Sequence, residues 1–129
     1  MSAGALVLII EDNPRNLKLA RDILNHIGYE TLEAENAEDG LALARARRPD
    51  VVLMDVQLPG MDGVQALGRL RSDPETRDIP VIALTAFAMK DDRERLLAAG
   101  FDRYVAKPLD VRVFPRQVAA VLAAAGADA

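Results

Sequence analysis

Apolar residues follow two spacings along the chain, and stretches of one kind alternate with stretches of the other. Leu6–Ile10, residues 51–54 and residues 81–84 are uninterrupted apolar runs bounded by polar or turn-forming residues. Such runs predict strands buried on both faces, as in the middle of a parallel sheet. Residues 29–34 predict a more exposed strand, broken by Glu30 and Glu33, and residues 103–106 a short strand at the side of the sheet. Helical spacing fills the gaps. Asn13-Pro14 supplies an N-cap and a first-turn proline, Leu17, Ala20, Leu24 and Ile27 recur on one face, and Gly28 stops the helix. Asn36 caps a second helix through about Arg47, with Ala37, Gly40, Leu41 and Ala44 as its small apolar face. A third helix carries Val64, Leu67 and Leu70 after a loop whose Gly60 and Gly63 suggest a sharp turn. A fourth passes through Leu96, Leu97 and Ala99 to Gly100. The last, from about 111 to 124, presents Val111, Phe114, Val118, Val121 and Leu122, and the Ala/Gly tail after Leu122 is expected to fray. Pro115 is out of place inside it, so this helix either starts late or is kinked. Strand and helix therefore alternate five times, which predicts a parallel sheet with helices on both faces and right-handed crossovers.

Composition narrows this picture. At 129 residues the chain has the size of one domain, with an expected ordered core of about residues 5–123 and no linker, repeat or output domain. Half of the residues are hydrophobic and 28% charged, the balance of a soluble globular protein. The apolar run of residues 5–10 is too short to cross a bilayer, and the acidic pair that follows at once is unlike a secretory signal. The absence of cysteine excludes disulfides and thiolate metal sites and fits a cytoplasmic location. A net charge of −4 leaves no basic footprint for nucleic acid, and Arg45, Arg47 and Arg48 read as a solvated helix end.

The candidate chemistry lies where the strands stop. Four of the five strands end on Glu11-Asp12, Asp55, Thr85 and Lys107, so a parallel sheet gathers three carboxylates, a hydroxyl and an ammonium at one rim. Ligands of open parallel sheets sit outside that edge. Alone, Asp55 could equally cap the next turn. Three neighbouring carboxylates repel, which makes sense chiefly around a cation, and oxygen ligands without His or Cys point to magnesium. Magnesium beside a lysine and a hydroxyl suits a phosphoryl group. Neither G-x-G-x-x-G nor G-x-x-x-x-G-K-[ST] occurs, which argues against a nucleotide.

Ile10-Glu11-Asp12-Asn13, the run from Leu53 to Gly63 through Asp55 and Pro59-Gly60-Met61-Asp62, Leu84-Thr85-Ala86, and Lys107-Pro108 occur in that order. With these signatures the chain resembles the response-regulator receiver domains of bacterial two-component signalling over essentially its whole length. The resemblance implies a flavodoxin-like (βα)5 fold of strand order 2-1-3-4-5. It implies phosphorylation on Asp55 by a partner histidine kinase or histidine phosphotransfer protein, with Mg2+ held by Glu11, Asp12, Asp55 and the carbonyl of Gln57. Lys107 would pair with the phosphoryl group, Thr85 would move to bond it, Ala86 would leave room, and Tyr104 would swing inward. The Lys107-Pro108 bond would be cis. Gln57 and Phe87 would line the mouth of the site and influence phosphate loss. The stretch from Thr85 to Lys90 resembles stand-alone regulators of cell division and polarity within that family. Such a protein is a phosphoacceptor rather than an enzyme, acts on a downstream protein target, and needs no membrane. Other readings are a magnesium phosphohydrolase and a silent interaction module. The hydrolase usually needs an acid two residues after its nucleophile, where Gln57 stands. Phe87 and Met89 form either simple loop packing or a binding patch. His26, the only histidine, suits the last turn of its helix better than a phosphodonor role.

Overall fold

The structure is a computed structural model and describes residues 4–86 and 89–127. Its elements are β1 (Leu6–Ile10), α1 (Pro14–His26), β2 (Glu30–Ala34), α2 (Ala37–Arg47), β3 (Val51–Asp55), α3 (Gly63–Ser72), β4 (Val81–Thr85), α4 (Lys90–Ala99), β5 (Arg103–Ala106) and α5 (Val113–Ala127). The strands form one sheet of order β2-β1-β3-β4-β5, and every pair is parallel. The alternating pattern predicts the parallel sheet, and the strand order is the flavodoxin-like one that the resemblance implies.

Side chains on successive strand residues point to opposite faces, and this alternation divides the core in two. Val7, Ile9, Val51, Leu53, Ile82 and Leu84 pack with Leu17, Ala20 and Leu24 of α1 and with Phe114, Val118 and Val121 of α5. Leu8, Ile10, Val52, Met54, Val81 and Ala83 pack on the other face with Ala37 and Ala44 of α2, Ala66, Leu67 and Leu70 of α3, and Leu96 of α4. All five residues of β3 and of β4 are buried, which is why their runs show no polar interruption. Strand order reverses between β1 and β3, so the carboxyl ends of these two strands flank the crevice where a doubly wound sheet receives its ligand.

Several boundaries differ from the pattern-based expectation. Ile27, Val64, Leu97 and Val111 recur at helical spacing but are 40%, 40%, 48% and 63% exposed, because Ile27 and Val111 lie just outside α1 and α5 while Val64 and Leu97 fall beyond the stripe that α3 and α4 bury. Strand β2 starts at Glu30, one residue after the buried Tyr29. Helix α5 starts late, and the reason is local. Phe114 N–H donates to the Asp110 carbonyl at 2.9 Å, but Pro115 has no N–H to give to the Val111 carbonyl, so the regular helix begins at Val113. The Asp110 carboxylate caps this start by accepting from the N–H groups of Arg112 and Val113 at 2.8 and 3.1 Å. At its other end α5 continues to Ala127, past Leu122, where fraying was expected. Phe87 lies outside the described residues, and Met89 is 73% exposed.

Candidate functional site

The turn after β1 is fixed by short-range bonds. Asn13 caps α1 by accepting from the N–H groups of Arg15 and Asn16 at 2.9 and 3.3 Å, with Pro14 as the first helical residue. The Asn13 N–H in turn donates to Glu11 Oε2 at 3.2 Å, which turns the Glu11 carboxylate back over the sheet edge. Glu11 is 1% exposed, whereas Asp12 next to it faces solvent. Asp55 closes β3 with 4% exposure, and its Oδ1 accepts from the Gln57 N–H at 2.9 Å. Gln57 itself is exposed.

The loop after Asp55 returns sharply, through Gly60 at φ 75°, to α3. Asp62 and Gln65 form a reciprocal cap at the start of that helix, at 2.9 and 3.2 Å. Gly63 then lies so close to the end of β3 that a Cβ on it would stand 2.7 Å from the Asp55 carbonyl oxygen and 2.8 Å from Val56 Cα. Only glycine allows this approach without displacing the backbone that carries Asp55.

Lys107 reaches the same point from β5. Its N–H donates to the Thr85 carbonyl at 2.8 Å, and the Lys107-Pro108 peptide is cis. The ammonium donates to Asp55 Oδ2 at 2.9 Å and lies 2.7 Å from Glu11 Oε1. The latter contact is an ion pair without hydrogen-bond alignment, and Glu11 Oε1 is otherwise a buried oxygen with no donor. Burial first, and then the adjacent Asp55, raise the Glu11 pKa from 4.5 to about 7, against the lowering effect of Lys107 and of the Asn13 N–H. Lys107 loses solvent by burial, but its two carboxylate partners prevail and raise its pKa above the ordinary lysine value. Oxygens of Glu11, Asp12 and Asp55 all lie within 4.8 Å of one another. A set of hard oxygens from three carboxylates, two of them buried, fits a small divalent cation such as magnesium.

Thr85 ends β4 one residue beyond Leu84, the register partner of Asp55, and is 3% exposed. Ala86 follows at the surface. Tyr104 of β5 pairs in register with Ala83, packs half-buried against the core beneath α4, and its hydroxyl accepts from Arg93 Nη1 at 3.1 Å. The sheet thus brings Glu11, Asp12, Asp55, Thr85 and Lys107 to one rim, with Gln57 beside Asp55 and Tyr104 on the next face of β5. Arg93 and Gly63 could not be assigned from the pattern. Arg93 lies eleven residues from Tyr104 with no local signal between them, and the close approach of Gly63 exists only in three dimensions.

Comparison with known proteins agrees with this geometry. Residues 7–119 match the response regulator receiver domain family. The chain is 49% identical over 108 residues to the polar-differentiation response regulator DivK of Brucella anthropi, covering 84% of this chain and 88% of that protein, and 47% identical over the same length to DivK of Brucella ovis. Among solved structures, the receiver domain of a Pseudomonas aeruginosa sensor histidine kinase superposes with a TM-score of 0.86 at 35% identity, covering 94% of this chain and 99% of that one. That structure has a magnesium ion coordinated in its active-site cleft. A CheY-like receiver domain of Methanospirillum hungatei superposes with a TM-score of 0.88 at 26% identity, over 98% of this chain and all of that one. A match that takes in the ends of all five strands, and with them every residue of the rim, establishes that the chain belongs to the response regulator receiver domain family of two-component signalling.

Proposed function

We propose that this chain is a phosphoacceptor switch in which Asp55 takes a phosphoryl group from a histidine kinase or histidine phosphotransfer protein and, so modified, changes its binding to a downstream protein. It works as one receiver unit, and its likeness to DivK supports a place in cell-division or polarity control. The observation that carries the reading is the convergence of Glu11, Asp12 and Asp55 within 4.8 Å beside the Lys107 ammonium.

Glu11, Asp12 and Asp55, with the Gln57 carbonyl, would hold magnesium, which when bound supplies Lewis-acid stabilisation of charge on phosphoryl oxygens. The Asp55 carboxylate is the nucleophile. One of its oxygens forms a bond to phosphorus while the bond from phosphorus to the donor breaks, and the donor leaves with the electron pair, giving an acyl phosphate. Lys107 already bonds Asp55 Oδ2 and supplies positive charge to the transferred group. The Thr85 hydroxyl, at the end of the neighbouring strand, bonds the phosphoryl group by moving towards Asp55, with Ala86 leaving space, and Tyr104 follows inward.

Intact mass after incubation with acetyl phosphate, with and without magnesium, tests the reading. The wild type should gain one phosphoryl group only when magnesium is present, and Asp55→Asn should gain none. An adduct that survives in Asp55→Asn, or phosphate release proportional to protein with no adduct, would overturn it.

A further inference from the structure

Helix α4 is the least firmly held of the five. Leu96 is its only fully buried side chain, its N-cap Met89 makes no side-chain cap bond, and no basic residue balances its C-terminal end. Its first turn nevertheless carries Arg93, a cation where the helix dipole disfavours one. Arg93 is half-buried. Its Nη1 donates to the Tyr104 hydroxyl at 3.1 Å, and its Cζ stands 5.7 Å from the ring centroid, at the outer range of a cation–π contact. The hydrogen bond is therefore the stronger part of the tie. The tie joins the start of α4 to the middle of β5, the strand that pairs with β4 up to Thr85, opposite Ala106.

From this we infer that Arg93 is a positioning residue: by holding the Tyr104 ring against the first turn of α4, it sets how readily the Thr85 end of β4 can move towards Asp55. The inference rests on the phosphoacceptor reading above. A shift of the Thr85 end of β4 is passed across the paired strands to β5, where it stretches the Arg93–Tyr104 bond, so the tie and the phosphoryl group act in opposite directions on one two-state element. Removing the tie lowers the resistance to phosphorylation. From the strength of such contacts at part-exposed sites, the change in population is roughly three- to tenfold.

The chain has two tyrosines and no tryptophan, so 3-fluorotyrosine gives two fluorine resonances, for Tyr29 and Tyr104. In Arg93→Ala the Tyr104 resonance should move towards its position in the phosphorylated wild type, and phosphorylation by acetyl phosphate should accelerate roughly three- to tenfold. Arg93→Lys, which keeps the charge and a donor for the Tyr104 hydroxyl but loses the planar fork, should restore much of both. Arg95→Ala, which removes an exposed partner of Asp92 at 3.5 Å, should change neither. A Tyr104 shift in Arg93→Ala with an unchanged rate would overturn the positioning role, and an unmoved Tyr104 resonance would overturn the tie itself. If the wild type takes up no phosphoryl group, the phosphoacceptor reading fails and this role falls with it. A failure confined to Arg93→Ala overturns this role alone.

Discussion

Glu11 is the residue whose chemistry the fold alters most. Burial and the adjacent Asp55 hold its carboxyl protonated up to about pH 7, whereas in the unfolded chain it ionises near 4.5. An acid with a raised folded-state pKa binds more protons folded than unfolded between those values, so its contribution to stability is full below 4.5 and is lost as pH rises through about 7. The loss is at most about 3 kcal/mol. Magnesium selects the ionised form and acts in the opposite sense, since coordination requires the proton to leave. Thermal unfolding of the metal-free protein should therefore show a Glu11 contribution that lowers Tm between about pH 4.5 and 7, the window of its shift. The gain in Tm from added magnesium should widen over the same range. Glu11→Gln should flatten both trends, and a magnesium effect independent of pH would remove Glu11 from the ligand set.

Among the elements, α3 shows how one residue type serves opposite ends. Gly63 begins the helix against the backbone of Asp55, where an added Cβ would meet atoms 2.7 and 2.8 Å away that belong to the main chain and cannot swing aside. Gly68 lies in the same helix on its exposed side, with nothing within 4 Å of an added Cβ. Gly63→Ala should cost about 2 kcal/mol or more and slow phosphorylation, because it displaces the strand end that presents Asp55. Gly68→Ala should stabilise by about 0.5–1 kcal/mol, chiefly by restricting the unfolded chain. Urea unfolding of both variants checks the two signs, and equal effects would show that α3 does not seat on β3 as described. Gly40 of α2 falls between them: its Cβ would meet the Ile10 side chain at 2.4 Å, which can relax only by changing rotamer within a full core.

For the molecule as a whole, what could be read in advance was what repeats with a fixed period or stops a run. The three central strands were legible because burial on both faces removes every polar interruption, and the site was legible because the acids and Thr85 stand where those runs end and Lys107 where the edge strand β5 ends. The start of α5 was not, since Pro115 allowed both a late start and a kink and only the Asp110 cap decides between them. Nor was the Arg93–Tyr104 tie, which depends on how α4 lies over β5. The same alternation has a thermodynamic consequence. Leu53 and Met54 are neighbours in β3, yet one serves the core beneath α1 and α5 and the other the core beneath α2, α3 and α4. Neither core can dissolve without releasing strands that the other needs, so the two should melt together. Phe114→Ala empties the first core at a fully buried site and Leu67→Ala the second at a 1% exposed one, and each should cost about 2–5 kcal/mol. Tyr29 sits in the first core and Tyr104 packs against the second, so their two fluorine resonances report the faces separately. In urea both signals should vanish at one midpoint in each variant, shifted from the wild type but still shared. If Phe114→Ala lost the Tyr29 signal at lower urea than the Tyr104 signal, the two faces would be independent units, and the coupling of a rim residue to the far surface would need a path other than the sheet.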